Sequence, residues 1–233
     1  MNYVILNGAK STDIKGLLIQ SLPPISKPLM RTSIEEIDGS DGDIVTKLGY
    51  AAYDKDMLIG LYGDYNVDDV IQFFNSEGTV TFSNEPDKFY NYQIIDQIDF
   101  ERLIRFKQAT VKFHVQPFKY SAVDYLYTFN VGDVNEFSIY NRGNTVSRPK
   151  ITIYGSGTVN LSINGTELFV INLGTAEYIT LDSAKMNAYK GNILMNRSVV
   201  GNYDDLVLGI GQNTISWTGD VTQVDVENFA RWI

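Results

Sequence analysis

Hydrophobic and polar residues alternate with a period near two along most of this chain, in short runs broken by Gly, Asn and Asp. That pattern predicts short, half-buried antiparallel strands. In VKFHVQPF, Val111, Phe113 and Val115 point one way and Lys112, His114 and Gln116 the other, until Pro117 removes a ladder donor and predicts a strand end. The sharpest hairpin signal is VNLSI-NG-TELFV, where Asn164 and Gly165 suit the positive φ angles of a two-residue type I′ turn. Its expected register sets Leu161 against Leu168 and Val159 against Val170, both pairs on one face. One segment departs from the alternation: in YNVDDVIQFFNSEG, Val67, Val70, Ile71 and Phe74 fall at helical spacing. Asn66 is its expected cap, Asp68 and Asp69 occupy the first turn near the positive dipole end, and Gly78 is the expected terminator.

The expected fold class is therefore all-β, with two β-sandwich domains and a single short helix in the first. Between Ser121 and Pro149 the chain carries no Lys, and a new alternating run follows the proline. We place a boundary near residue 130, giving an N-terminal β domain over 1–130 and a C-terminal β-sandwich over 131–233. No solenoid or propeller period is found.

Composition removes several function classes. Over 233 residues, 19 Lys and Arg stand against 28 Asp and Glu, a net charge of −9 that disfavours sequence-independent binding to phosphate backbones or anionic lipid. The acidity is shared: residues 1–130 hold 12 basic and 18 acidic side chains, net −6, which leaves 7 and 10, net −3, for the rest. With no cysteine there is no disulfide framework, thiol nucleophile or thiolate metal site, and a single histidine removes polyhistidine metal sites. The opening MNYVILNGAKSTD has neither a basic n-region nor a useful h-region, and no window reaches the roughly 20 apolar residues of a membrane span. The expectation is a soluble chain made without a signal peptide.

The remaining motifs read as structure rather than chemistry. His114 lies in an alternating strand on the side away from Val and Phe, where a Ser-His-Asp role is not expected. DGSDGD at 38–43 resembles a calcium loop, yet the twelfth position from Asp38 is Gly49 rather than Glu, so a Gly-rich turn is expected. Glu35 and Glu36 point to opposite faces if extended and cannot share one glycosidic bond, and the pairs Asp68/Asp69 and Asp204/Asp205 add nothing more specific. YGSG at 154–157 and GIGQN at 209–213 lack the fingerprints of dinucleotide or phosphate loops and read as turns. The sequons at Asn160, Asn164 and Asn196 are chance matches in a chain without a secretory signal. No catalytic, cofactor-binding or metal-binding residue is assigned, and no cofactor is expected.

Aromatic residues are abundant, with 15 Tyr, 12 Phe and 2 Trp. In FYNYQI, Phe89 and Asn91 fall on one face and Tyr90 and Tyr92 on the other, so rings occupy both. Such surfaces suit protein interfaces and sugar clefts. This leaves a carbohydrate-binding module as the alternative function, with Tyr178 and Trp217 as candidate platforms, though Trp217 in NTISWTG equally fits a core.

Five segments, in order, resemble the distal tail proteins of long-tailed (siphovirus-type) bacteriophages and prophages: RTSIEEIDGSDGDIVTKLGYAAYDKD, EPDKFYNYQIIDQIDF, ATVKFHVQPFKY, NRGNTVSRPKITIYGSG and LVLGIGQNTISWTG. The resemblance spans nearly the whole chain. It implies a non-enzymatic virion protein of the tail tip or baseplate. Its first domain forms a hexameric ring between the major tail tube protein and the tail-associated hub or lysin protein, and DNA passes through without specific binding. The resemblance also implies a galectin-like second domain that projects outward and, in some members, holds receptor-binding proteins. A closed ring needs a heterologous contact, and the extended 31–58 segment is the candidate for reaching a neighbour.

Overall fold

The computed structural model describes every residue of the chain except Ser40, Asn75, Ser76, Asp124, Val131 and Asp133, and the side chain of Tyr125. Among the described residues it is all-β apart from two short α-helices and two single-turn 3₁₀ segments, and it divides into two compact units, Met1–Ala122 and Val123–Trp232. The division falls earlier than residue 130 because Tyr125–Asn130 is a strand that pairs along Gly211–Asn228 in the second unit. Among the described residues, no helix is long and apolar enough to cross a membrane.

The first unit holds strands β1 (Val4–Leu6), β2 (Ala9–Lys10), β3 (Leu17–Ser21), β4 (Met30–Glu36), β5 (Asp43–Tyr50), β6 (Tyr53–Leu61), β7 (Glu77–Phe82), β8 (Lys88–Gln93) and β9 (Gln108–Ser121). Seven of these form one hydrogen-bonded path in the order β2-β1-β7-β8-β9-β6-β3. Only six residues separate β2 from β3 at the two ends of the path, so the sheet is rolled over on itself around its core. Alternation supplies that core: Val111, Phe113 and Val115 are buried as their spacing predicts, against Met57, Ile59, Tyr90 and Tyr92.

Pro117 does not end β9. The ladder to β6 has already stopped at Val115, and the ladder to β8 is irregular there, passing from Tyr92–Val115 to Tyr90–Lys119, so the missing N–H is tolerated.

Helix α1 (Val67–Phe73) starts as expected, with Asn66 accepting from the Asp68 N–H at 3.0 Å. Its buried positions are Val70 and Phe73, followed by Phe74, whereas Ile71 faces solvent. Gly78 does not terminate it. That glycine lies inside β7, where its missing Cβ makes room for the Asn7 carboxamide, which accepts from the Thr79 N–H at 2.7 Å. A second helix, α2 (Phe100–Phe106), is capped by Asp99, which accepts from the Arg102 N–H at 2.8 Å. It buries only Leu103, so no apolar stripe betrays it in the sequence.

The second unit holds β10 (Tyr125–Asn130), β11 (Glu136–Asn141), β12 (Lys150–Ile163), β13 (Thr166–Gly174), β14 (Tyr178–Asp182), β15 (Asn187–Lys190), β16 (Ile193–Leu194), β17 (Val199–Gly201) and β18 (Gly211–Asn228). The long strands β12 and β18 pair throughout and are broken by bulges near their middles. On one side of the break, Lys150–Tyr154 pairs with β14 and Gln223–Asn228 with β10; on the other, Gly157–Ile163 pairs with β13 and Gly211–Ser216 with β11. Two strands thus serve both layers of a sandwich, turning between them at the bulges. Leu161, Phe169, Ile171, Ile153, Trp217 and Val224 are among the side chains that fill the core.

YGSG is therefore not a turn between strands but the bend within β12. The Asn164–Gly165 turn forms as predicted, with φ of 52° and 79°. The register beyond it is shifted: Leu161 faces Phe169 and Val159 faces Ile171, because a bulge at Leu168 adds one residue to β13. The bulge keeps Phe169 and Ile171 inside, which the unbulged register would have turned outward.

Candidate assembly surface

Strands β4 and β5 form a two-stranded ribbon that, among the described residues, is hydrogen-bonded to no other strand. The register pairs Ile34 with Val45, Glu35 with Ile44 and Glu36 with Asp43, so Glu35 and Glu36 do face opposite ways. Every described residue from Ile34 to Gly49 is exposed, on both faces. Ile34 is 60% exposed and Val45 56%, with Ile44 and Leu48 similarly open. The DGSDGD run supplies the connection at the tip, with Gly39 and Gly42 at φ of 81° and 84°; Ser40 lies outside the described residues. An isolated two-stranded ribbon is marginal in water, and two carboxylates directly across from each other add repulsion. The ribbon thus carries apolar side chains on two open faces beside a like-charged pair.

The core face of the first unit ends in a polar cluster. Lys55 continues the inward row of Met57 and Ile59 and is 3% exposed, its ammonium donating to the Pro24 carbonyl at 2.7 Å. Lys119, also buried, donates to Glu85 at 2.7 Å, and the Tyr90 hydroxyl donates to the same carboxylate at 3.0 Å. The Tyr90 ring lies 5.1 Å from the Lys55 ammonium and 6.0 Å from that of Lys119. Burial pulls the Lys55 pKa down to about 8, the Glu85 charge opposing and the Lys119 charge reinforcing the shift. Burial likewise pushes the Tyr90 hydroxyl far above its ordinary value.

His114 lies on the polar side of β9 with Nδ1 2.7 Å from Asp54 Oδ1 on β6, its register partner. Across the same polar side Lys112 pairs with Asp96 at 2.7 Å. Phe89 stacks on Tyr120 with centroids 5.6 Å apart, while Tyr90 and Tyr92 are the buried pair of the FYNYQI run.

In the second unit, GIGQN is organised by Asn213, which donates to the Gly209 and Gly211 carbonyls and accepts from the Gly209 N–H and the Asn164 carboxamide. Asn164 in turn accepts from the Thr214 N–H, so both motifs describe one corner of the sandwich. Asn196 accepts from the Ala188 N–H at 2.6 Å. Trp217 is 3% exposed and packed by the Phe129 and Phe137 rings, so it is core and offers no platform to a sugar. Tyr178 is half-buried, with Tyr154 beside it and the Lys190 ammonium 5.3 Å from its ring.

No protein-family model matches this sequence, and no curated protein matches it. Solved structures do. The chain is similar to the Dit protein of phage SPP1, a paradigm of the hub adsorption apparatus in phages that infect Gram-positive bacteria, with a TM-score of 0.68, 16% identity and full coverage of both chains. It is also similar to a chain of the phage P2 baseplate in its activated conformation with Ca, at a TM-score of 0.55, 9% identity and coverage of 100% and 98%. The same baseplate with Sr gives 0.52, 10%, and coverage of 98% and 97%. From end to end, through both units, this chain has the fold of a phage hub protein, SPP1 Dit.

Proposed function

We propose that this chain is a distal tail protein, a non-enzymatic structural subunit of a phage tail tip or baseplate. The observation that carries the reading is the shared fold with SPP1 Dit, complete over both chains. In this reading six copies form a ring, joining the tail tube to the tail-associated hub protein and to receptor-binding proteins, with DNA passing through the centre. The first unit builds the ring, and the second projects from it. The β4–β5 ribbon is the element that reaches a neighbour, because its open apolar faces are unsatisfied in a single chain. The acidic balance of the first 130 residues suits a channel that must release DNA, since no basic excess is available to exchange counterions with phosphates.

Light scattering across a concentration series, with negative-stain images of each species, tests this. Six chains of 26.2 kDa come to about 157 kDa, and a species of that mass imaging as a ring with a central hole is the expected result. A strict monomer at every concentration, alone and with neighbouring tail proteins, would overturn it.

A further inference from the structure

The open β4–β5 ribbon needs a surface to land on, and one helix of the same unit has the chemistry for it. Helix α2 buries only Leu103, leaving Arg102, Arg105 and Phe106 lining an open groove, with Phe106 68% exposed and Ile104 also open. Arg102 and Arg105 lie three apart on the helix, hence on neighbouring positions of one face, and neither has an ion-pair partner among the described residues. Asp99 and Glu101 also line the groove, but the Asp99 carboxylate is held by the Arg102 N–H as the helix cap, and Lys107 follows the helix with a further positive charge. The ribbon presents the complement: Glu36 and Asp43 directly opposed, and beside them on the same face the apolar pair Ile34 and Val45. No basic residue lies between Ser33 and Thr46.

Resting on the ring assembly argued above, we propose that the β4–β5 tip of one copy docks on α2 of the next. Arg102 and Arg105 lie against Glu36 and Asp43, and Phe106, on the same side of the helix, covers Ile34 and Val45. The occupant is a second copy of this chain because the two surfaces complement each other in charge and in apolar content, and each stands open in the single chain, where the Arg105 guanidinium rests only over the neighbouring Phe106 ring at 6.0 Å. The contact joins different surfaces of successive subunits, as a closed ring requires. Paired strands of seven residues reach about 23 Å at 3.3 Å per residue, enough to leave one subunit's body and lie on another.

The test is a charge swap read by light scattering. R102E/R105E and, separately, E36R/D43R should each lose the ring mass at a concentration where the wild type holds it, with far-UV circular dichroism unchanged. The four changes together in one chain should restore it, which damage to the fold alone could not do. A second readout uses the natural absence of cysteine: Asp43→Cys with Arg102→Cys should give disulfide-linked ladders of copies under mild oxidation. A ring that forms normally in the charge-reversed variants, or whose Cys pair never links, overturns the docking and leaves the ring reading standing. A wild-type chain that never assembles overturns both.

Discussion

Gly155 pairs with Val221, two residues beyond Gly219, at the bend where β12 and β18 cross between layers, and each of the two glycines lies against the other strand's backbone. A Cβ added at Gly155 would stand 2.1 Å from the Asp220 carbonyl oxygen, and one at Gly219 would stand 2.3 Å from that of Thr158. Backbone cannot yield as a flexible side chain can, so these glycines let two strands bend together without separating. Gly219 also has φ of 103°, which L side chains rarely adopt.

Gly219→Ala should therefore destabilise the second unit by about 3 kcal/mol, combining backbone strain with overpacking. Gly211 provides the contrast: its φ is 88° but nothing lies within 4 Å of an added Cβ, so Gly211→Ala should cost only about 1 kcal/mol of strain. Urea midpoints of the two variants compare them directly. Equal losses would show that the close approach at the bend carries no weight.

The bulge in β13 makes a second test. Phe169 is buried against Tyr203, with ring centroids 5.0 Å apart, while Leu168 is only half-buried. Phe169→Ala should cost about 4 kcal/mol, and Leu168→Ala about 1 kcal/mol. The unbulged register, with Leu168 facing Leu161, would reverse that order, so a urea titration of both variants decides between them.

That pair also marks how far the sequence could be read. Turn chemistry at Asn164–Gly165 and the alternation through Val111, Phe113 and Val115 are local properties, and both appear in the fold where expected. The bulge at Leu168 is set by burial across the sandwich, and the β12 bend at Gly155 by a strand more than sixty residues away, so neither has a local signature. Helix α2 escapes for a related reason: with Leu103 alone turned inward, it has no periodicity to detect. Gly78 misleads in the opposite sense, since a glycine after a helical run suits a C-cap, whereas here it accommodates Asn7. Of the assembly surface, the extended 31–58 segment is legible as a candidate. What cannot be read locally is that, among the described residues, β4 and β5 pair only with each other, which is what leaves Ile34 and Val45 open.

Lys55 gives a pH prediction with a definite sign. Its folded pKa, about 8, lies below the ordinary 10.5. Between those values the unfolded chain holds a proton that the folded chain has released, so stability attributable to Lys55 rises with pH over that window. Below pH 8 both states are charged and the penalty of the buried ammonium is fully present. Lys55→Met removes the charge while keeping the stem's volume. The stability of Lys55→Met relative to wild type should thus be greatest near pH 7 and decline between pH 8 and 10.5, as chemical denaturation at each pH would read. Raised pKa values at Lys112 and Lys150 act oppositely, but they are common to both proteins and cancel in the difference. A difference that stays flat with pH would mean Lys55 is solvated.

Among the described residues, Glu85 is the carboxylate in hydrogen-bond contact with both Lys119 and the Tyr90 hydroxyl, its side chain 12% exposed and that of Lys119 8%. Glu85→Gln keeps the shape and removes the charge, leaving the Lys119 ammonium buried with no anion beside it. Breaking a buried pair from one side costs about 3 to 5 kcal/mol, and the intermediate burial here places the loss toward the lower figure. The double variant Glu85→Gln with Lys119→Met removes both charges together. It should regain most of that stability, because the penalty comes from the unpaired charge and not from the absence of the pair. Thermal unfolding of the two single variants and the double one forms a complete cycle. If the double variant is no more stable than Glu85→Gln alone, the cluster is held by packing around Tyr90 rather than by its charges.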